Sequence, residues 1–156
     1  MNSTTKPSIL VVCMGNICRS PTGEAILRAK AQDMGIDVEI DSAGTIGYHT
    51  GNPPDKRAQA AGEQRGYSFA GIYSRQVSAE DFAKFDLILA ADNDNLADLQ
   101  AQCPSQYQHK LKLFMNYGSA GRDEIPDPYY GGEQGFELVL DMIEDAAENV
   151  LRSLSC

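Results

Sequence analysis

Residues 9–26 read ILVVCMGNICRSPTGEAI, and this stretch decides the fold. It opens with a continuous apolar run, which is typical of a strand buried inside a parallel sheet. The run ends at Cys13 and passes into a short loop, after which Ser20-Pro21 marks the start of a helix with Glu24 in its first turn. The stretch therefore predicts a strand, a tight loop and a helix in direct succession, the opening unit of an α/β fold.

The rest of the chain continues to alternate between strand and helix patterns. Further strands are predicted at 36–44, 85–91 and 110–116, and helices at 52–66, 92–103 and 135–154, with the first helix ending near Gly35. No internal repeat or linker interrupts this order. The pattern predicts one domain over residues 1–156, with residues 1–7 flexible, built as an open sheet of four parallel strands with helices on both faces.

Composition narrows the classes of partner. The chain has 13 Lys and Arg against 22 Asp and Glu, a net charge of −9, which argues against nucleic acid and anionic membranes as partners. No stretch approaches the roughly 20 apolar residues of a membrane span, and the opening MNSTTKPS lacks the apolar core of a signal peptide. We therefore expect a cytoplasmic protein. Its cysteines do not have the spacing of a zinc site and should be reduced.

The loop after the first strand carries a thiol at one end and a guanidinium at the other. Open parallel sheets bind ligands at the carboxyl ends of their strands, and a helix amino terminus there favours anions. The same field favours Cys13 as a thiolate, and Arg19 can bind two oxygens of a phosphate-like anion. Ser20 is expected to cap the helix and to hydrogen-bond the sulfur. The predicted phosphate-binding residues are Met14, Gly15, Asn16, Ile17, Cys18 and Ser20.

A second candidate segment is EIPDPYYGG at 124–132. Asp127 lies between two prolines, where a stiff loop can hold a carboxyl group over a neighbouring site as a general acid. Tyr129 and Tyr130 follow, and exposed aromatic rings make suitable walls for an aromatic substrate. Taken alone, Pro-Asp-Pro is more often a simple turn.

Six motifs together resemble those of the low molecular weight protein tyrosine phosphatases: VCMGNICRSP, DSAGT, GNPPDKRA, SRQVSAEDF, FDLILAADNDN and IPDPYYGG. The resemblance runs from about Ile9 to Leu151. It implies that Cys13 forms a phosphocysteine intermediate, that Arg19 binds the phosphoryl oxygens and that Asp127 protonates the leaving phenol. The substrate would be a tyrosine-phosphorylated protein, with no metal or other cofactor, and the chain would be a monomer or associate weakly with itself.

The resemblance also implies supporting roles. Ser20 would stabilise the thiolate, Asn16 and Ser42 would hold the loop in shape, and Cys18 would form a protective disulfide with Cys13 on oxidation. The entrance would be lined by Tyr48, Tyr129 and Tyr130. Many relatives carry a histidine just before the SRQ segment, but this chain has Ile72 and Tyr73 there, so the network that braces Asn16 should be rebuilt.

Two alternatives differ in class from a phosphatase. An arsenate reductase on the same scaffold needs a pair of relay cysteines in the middle of the chain, where only Cys103 is present. An inactive phosphate-binding module would lack the Cys, Arg or Asp of the motifs, and this chain has all three. Other polar residues are interpreted as incidental: surface histidines at His49 and His109, and unreactive thiols at Cys103 and Cys156.

Overall fold

The computed structural model describes residues 6–119, 121, 123–126 and 132–154, with the side chains of 132–134 left aside. The strands within these residues are β1 (Ser8–Cys13), β2 (Glu39–Gly44), β3 (Leu87–Ala90) and β4 (Leu111–Leu113). The α-helices are α1 (Arg19–Met34), α2 (Lys56–Gln64), α3 (Ala79–Lys84), α4 (Asn93–Gln102) and α5 (Gly132–Leu154). Short 3₁₀ helices cover Ser105–Lys110 and Phe114–Tyr117.

The strands form one parallel sheet in the order β2-β1-β3-β4. The chain leaves β1 toward β2 on one side and later returns to β3 on the other, so the strand order reverses beside β1. Cys13 pairs with Gly44 of β2, and Val12 pairs with Ala90 of β3. The carboxyl end of β1 therefore lies at the switch point of the sheet, where open α/β folds bind ligands. The predicted fold is confirmed.

Strand β1 separates two apolar cores. Ile9 and Val11 pack into a cluster with α1 and α5, whereas Leu10 and Val12 pack into a second cluster with α3, α4 and β4. Successive strand residues face opposite sides of a sheet, so a strand buried on both faces has no polar position. This burial explains the unbroken apolar run before Cys13 and anchors the loop that follows it.

Helix α1 begins earlier than its sequence predicts. Arg19 is its first residue and Cys18 occupies the N-cap position, so the expected capping role of Ser20 is wrong. Because the helix starts at Arg19, Glu24 lies in the second turn rather than the first. The helix ends as predicted at Gly35, which has a φ of 70°, a left-handed conformation that glycine adopts readily.

Several other predicted bounds differ from the structure, among them the start of the second helix at Lys56 rather than 52, and one helix was not predicted. The fourth strand ends at Leu113, because Phe114 and Met115 are both buried and consecutive residues of a strand cannot enter the same core. Helix α3 was not predicted, since it is only 6 residues long, although Ser78 and Asp81 form its capping box. Helix α5 starts at Gly132 rather than 135.

Two further expectations concern the flexibility of residues 1–7 and the lack of a membrane-spanning helix. Residues 1–5 lie outside the described part of the chain, and the carbonyl of Pro7 already accepts a hydrogen bond from the Glu39 N–H at 2.9 Å. Among the described residues, no helix is long and apolar enough to cross a bilayer.

Candidate active site

The loop between β1 and α1 is held from outside through its carbonyl groups. The Met14 carbonyl accepts from the Ile46 N–H at 3.1 Å, and the Ile17 carbonyl accepts from the Asp55 N–H at 2.7 Å. The Gly15 carbonyl accepts from Ser74 Oγ at 3.0 Å. In a trans peptide the N–H points away from the carbonyl of the same peptide unit. Because these three carbonyls point outward, the N–H groups of the same three peptides point to the inner side of the loop. Such a concave row of N–H groups suits an anion.

The second strand approaches this loop closely. A Cβ at Gly44 would lie 2.7 Å from the Met14 carbonyl oxygen, which leaves no room for a side chain. Gly44 also donates its N–H to the Arg75 carbonyl at 2.8 Å and accepts from the Val77 N–H at 2.8 Å. The glycine of the DSAGT motif thus brings β2 against the loop.

Cys13 lies at the bottom of the loop and is only 3% exposed. Its Sγ is 3.0 Å from Ser20 Oγ and accepts a hydrogen bond from the Asn16 N–H at 3.3 Å. Ser20 Oγ itself accepts from Asn16 Nδ2 at 2.8 Å, so its own proton is available to the sulfur. Two donors converge on the sulfur, an arrangement suited to an ionised nucleophile.

Asn16 organises the loop with both ends of its amide. Its Nδ2 also donates to Ser42 Oγ at 3.1 Å, and its Oδ1 accepts from the Arg75 N–H at 3.0 Å. The residue is buried and has a φ of 58°, a left-handed conformation that is uncommon outside glycine and that asparagine tolerates better than most other residues. The structure therefore brings together Cys13, Asn16, Ser20 and Ser42 as the sequence predicts.

Glu24 extends this network and was missed by the sequence analysis. Ser42 Oγ donates to Glu24 Oε1 at 2.7 Å, and Glu24 is 2% exposed. Burial raises the pKa of Glu24, and the Ser42 hydrogen bond and the nearby Arg28 charge only partly offset that rise. The available signal was its position four residues before Arg28, but that spacing usually indicates a surface ion pair.

Arg19 is held on the opposite side of the loop. Its Nη1 donates to Asp92 Oδ2 at 2.7 Å and to the Ile125 carbonyl at 2.9 Å, and the residue is 4% exposed. Asp92 also caps α4 by accepting from the Asn95 N–H at 2.8 Å. The sequence analysis placed Asp92 at the start of a helix over 92–103 but did not identify its ion pair with Arg19.

The mouth of the loop is only partly described. Tyr48 is 83% exposed, and its ring meets that of His49 edge to face at 4.8 Å between centroids. His49 is half-buried and lies over Gly15, so its interpretation as a plain surface residue is wrong. Asp127, Tyr129 and Tyr130 lie outside the described residues. The preceding Ile125 is buried and donates its N–H to the Ala91 carbonyl at 2.8 Å.

Comparison with known proteins completes the assignment. The family described as "Low molecular weight phosphotyrosine protein phosphatase" matches residues 8–156. The chain belongs to this family. A human low molecular weight phosphotyrosine protein phosphatase is 42% identical over 136 residues, which cover 85% of each chain. The Bacillus subtilis low molecular weight protein-tyrosine-phosphatase YfkJ is 39% identical over 150 residues, 94% of this chain and 95% of that protein.

A solved phosphatase shares the fold closely. The crystal structure of a protein tyrosine phosphatase from Entamoeba histolytica, with Hepes in its active site, superimposes with a TM-score of 0.93 at 43% identity. The match covers 96% of this chain and 97% of that one. The resemblance found in the sequence is thus confirmed for nearly the whole chain.

This phosphatase differs from the expected pattern near the loop asparagine. Ile72 is buried against Ala25 and Phe69, whereas Tyr73 is 61% exposed. Neither occupies the place of a polar brace, and the Arg75 N–H and Ser42 hold Asn16 instead. Among the residues that the structure describes, no histidine hydrogen-bonds to Asn16.

The two remaining cysteines of this phosphatase, Cys103 and Cys156, are not part of the loop. Cys103 is buried in the core on the α4 side, and burial raises its pKa. Cys156 lies outside the described residues. In the described part of the chain, no group of three or more His, Cys, Asp or Glu side chains could hold a metal ion.

Proposed function

We propose that this protein hydrolyses phosphotyrosine and other aryl phosphate monoesters through a phosphocysteine intermediate on Cys13. The observation that carries the proposal is the convergence of Ser20 Oγ and the Asn16 N–H on the Cys13 sulfur, inside a loop whose carbonyls are engaged outside it. The membership of the family supports the same reaction.

The reaction has two displacements at phosphorus. In the first, the Cys13 sulfur attacks phosphorus, the bond to the phenolic oxygen breaks, and Asp127 gives its proton to that oxygen. In the second, Asp127 takes a proton from water, whose oxygen attacks phosphorus and releases the Cys13 thiolate and inorganic phosphate. Arg19 and the loop N–H groups stabilise the negative charge on the phosphoryl oxygens in both steps.

The proposed substrate is a tyrosine-phosphorylated protein. Tyr48, Tyr129 and Tyr130 would line an aromatic entrance that a phenyl ring fills better than a short aliphatic chain. The Hepes in the active site of the Entamoeba enzyme carries a sulfonate, an anion similar in shape to phosphate. We further propose that the protein acts in the cytoplasm as a monomer or weakly associating chain, without nucleic acid or membrane partners.

Cys18 is proposed to protect the nucleophile from oxidation. Cys13 and Cys18 are buried thiols at the two ends of the loop. Peroxide would oxidise the Cys13 thiolate to a sulfenic acid, and the Cys18 sulfur would displace water from it to form a disulfide. Peptide mapping of peroxide-treated enzyme under non-reducing conditions tests this role. Absence of a Cys13–Cys18 link in enzyme that dithiothreitol reactivates would contradict it.

The proposed function is tested with a panel of substrates. We expect turnover of p-nitrophenyl phosphate and phosphotyrosine peptides, at least about tenfold lower kcat/KM for phosphoserine peptides, and no reduction of arsenate in a parallel assay. Equal kcat/KM for phosphotyrosine and phosphoserine peptides would contradict the aromatic entrance. Arsenate reduction with little phosphatase activity would favour the reductase alternative.

A further inference from the structure

Glu24 is a buried carboxyl group that the proposed reaction does not use. It lies on α1, faces the end of β2 and is 2% exposed. Burying a carboxylate is unfavourable unless hydrogen bonds and charge compensate it. Glu24 has both, since it pairs with Arg28 and accepts from Ser42 Oγ at 2.7 Å. The other charged groups near it are Asp41, whose effect is unfavourable, and Arg75.

The hydrogen bonds around Ser42 have a fixed direction. Asn16 Nδ2 can only donate, so Ser42 Oγ accepts from it. The single hydroxyl proton of Ser42 then goes to Glu24 Oε1. The other proton of Asn16 Nδ2 goes to Ser20 Oγ, whose own proton can then reach the Cys13 sulfur 3.0 Å away or the more distant Ala43 carbonyl at 3.5 Å. An acceptor at position 24 therefore takes the one proton of Ser42 and leaves the Ser42 Oγ lone pairs for Asn16.

The backbone conformation of Asn16 makes the loop sensitive to the loss of these hydrogen bonds. The left-handed conformation of Asn16 is disfavoured and persists only where its surroundings hold it firmly. Without an acceptor at position 24, the Ser42 hydroxyl loses the partner that fixes its orientation, and its Oγ is no longer held where it accepts from Asn16 Nδ2. The amide then loses a partner on the β2 side of the loop.

We propose that Glu24 is a positioning residue for the reaction. It accepts a hydrogen bond from the Ser42 hydroxyl and thereby keeps Asn16 and Ser20 oriented toward the Cys13 sulfur. This inference rests on the proposed role of Cys13 as nucleophile. It assigns to a carboxyl group on α1 part of the bracing that a histidine is expected to give in many relatives, where this chain has Ile72 and Tyr73.

The test separates the acceptor from the charge. Glu24→Gln retains an acceptor oxygen, whereas Glu24→Met has a similar size and no acceptor of comparable strength. For the methionine variant we expect about tenfold lower kcat on p-nitrophenyl phosphate with KM within about twofold, and alkylation of Cys13 by iodoacetate that needs a higher pH. The glutamine variant should stay within about threefold of wild type in both assays. If the methionine variant does not fold, Glu24→Leu replaces it.

A double-variant cycle tests whether Glu24 acts through Ser42. In a Ser42→Ala background, Glu24→Met should change kcat and the alkylation profile by less than about twofold, because the intermediate hydroxyl is already gone. Leu99→Ala, in the core on the α4 side, controls for lost stability and should leave the alkylation profile unchanged.

Three results would overturn the proposal: an unchanged alkylation profile in Glu24→Met or its leucine replacement, equal loss in the glutamine variant, or effects of Glu24 and Ser42 that multiply. Alkylation is measured without substrate, so it tests the positioning role even if the panel of phosphate esters shows no turnover.

Discussion

The two ends of the phosphate-binding loop are held by different kinds of contact. At the nucleophile end, the sulfur of Cys13 meets a backbone N–H and a hydroxyl, both uncharged. At the other end, the guanidinium of Arg19 forms an ion pair with Asp92. An uncharged environment stabilises a thiolate without competing with an incoming dianion. A buried guanidinium instead needs a counter-charge when no anion is bound, because an unpaired buried charge is costly.

The two ends also depend on opposite sides of the sheet. The nucleophile end is braced from β2 through Ser42 and from α1 through Glu24. The arginine end is braced from the β3–α4 side through Asp92 and from the segment that leads to Asp127 through the Ile125 carbonyl. Substitutions at the nucleophile end should therefore impair bond formation at the Cys13 sulfur. Substitutions at the arginine end should impair anion binding.

The largest effect is expected at the nucleophile itself. Cys13→Ser should lower turnover of p-nitrophenyl phosphate by about 10⁵ or more, because a serine hydroxyl at this position has no base to activate it. Binding of inorganic phosphate, measured by calorimetry, should be largely retained, since Arg19 and the loop N–H groups remain. Residual turnover within tenfold of wild type would show that Cys13 is not the nucleophile.

The proposed general acid, Asp127, should give the next largest effect. Asp127→Asn should slow hydrolysis by roughly 10²–10⁴ for esters of weakly acidic phenols, and by less for p-nitrophenyl phosphate, whose leaving group needs little protonation. The measurement is kcat against leaving-group acidity over a series of aryl phosphates. An equal loss across the series would show that Asp127 does not protonate the leaving oxygen.

Arg19→Lys tests the arginine end. Lysine keeps the positive charge but loses the planar fork, so we expect kcat/KM to fall by about 10²–10³ and affinity for phosphate to fall with it. This loss of binding distinguishes the variant from Cys13→Ser. A thermal melt controls for the buried ion pair with Asp92. Retained phosphate affinity in Arg19→Lys would contradict the anion-binding role of the arginine end.

Much of the loop was predictable because its determinants are close together in the sequence. The apolar run before Cys13 indicates a buried strand, and Cys13 to Ser20 spans the loop and the first two residues of α1. Asp92 was harder to connect, because its contact with Arg19 spans 73 positions and the Asp-Asn-Asp pattern is already explained by a helix cap. The role of Glu24 could not be predicted from the sequence for another reason. Helix α1 is buried around most of its circumference near its start, so an acidic residue there does not indicate the exposed face.

A smaller effect is expected from Asn16→Gly. Glycine adopts a φ of 58° without strain but removes the amide that binds Ser20, Ser42 and the Arg75 N–H. We expect kcat to fall about tenfold, with a smaller loss of thermal stability than in the matched variant Asn16→Ala, which keeps the strain. Wild-type kcat in the glycine variant would show that the backbone alone positions the sulfur.

The smallest effect on catalysis is expected at Asp81, which supports the nucleophile end at one remove. Its carboxylate accepts from Arg75 Nη1 at 2.9 Å, and the Arg75 N–H in turn holds Asn16. Burial alone would raise the pKa of Asp81, but hydrogen bonds from Arg75 and Ser78 outweigh it and hold the pKa below its ordinary value. A carboxyl group with a lowered folded pKa stabilises the fold above its unfolded pKa, and this stabilisation is lost as the pH falls through the folded value.

Asp81→Asn should therefore lower the free energy of urea unfolding by about 1–3 kcal/mol at pH 7, and the difference from wild type should shrink as the pH falls below about 4. Once the pH has fallen through the lowered folded pKa, the wild-type carboxyl group is neutral and resembles the amide. Activity at pH 7 should fall only about twofold, because the backbone N–H of Arg75 stays in place. Asp37→Asn is the control, since Asp37 is exposed and its contact with Lys6 is 3.7 Å long. A stability difference that does not change with pH would show that the Asp81 charge has no part in bracing the loop.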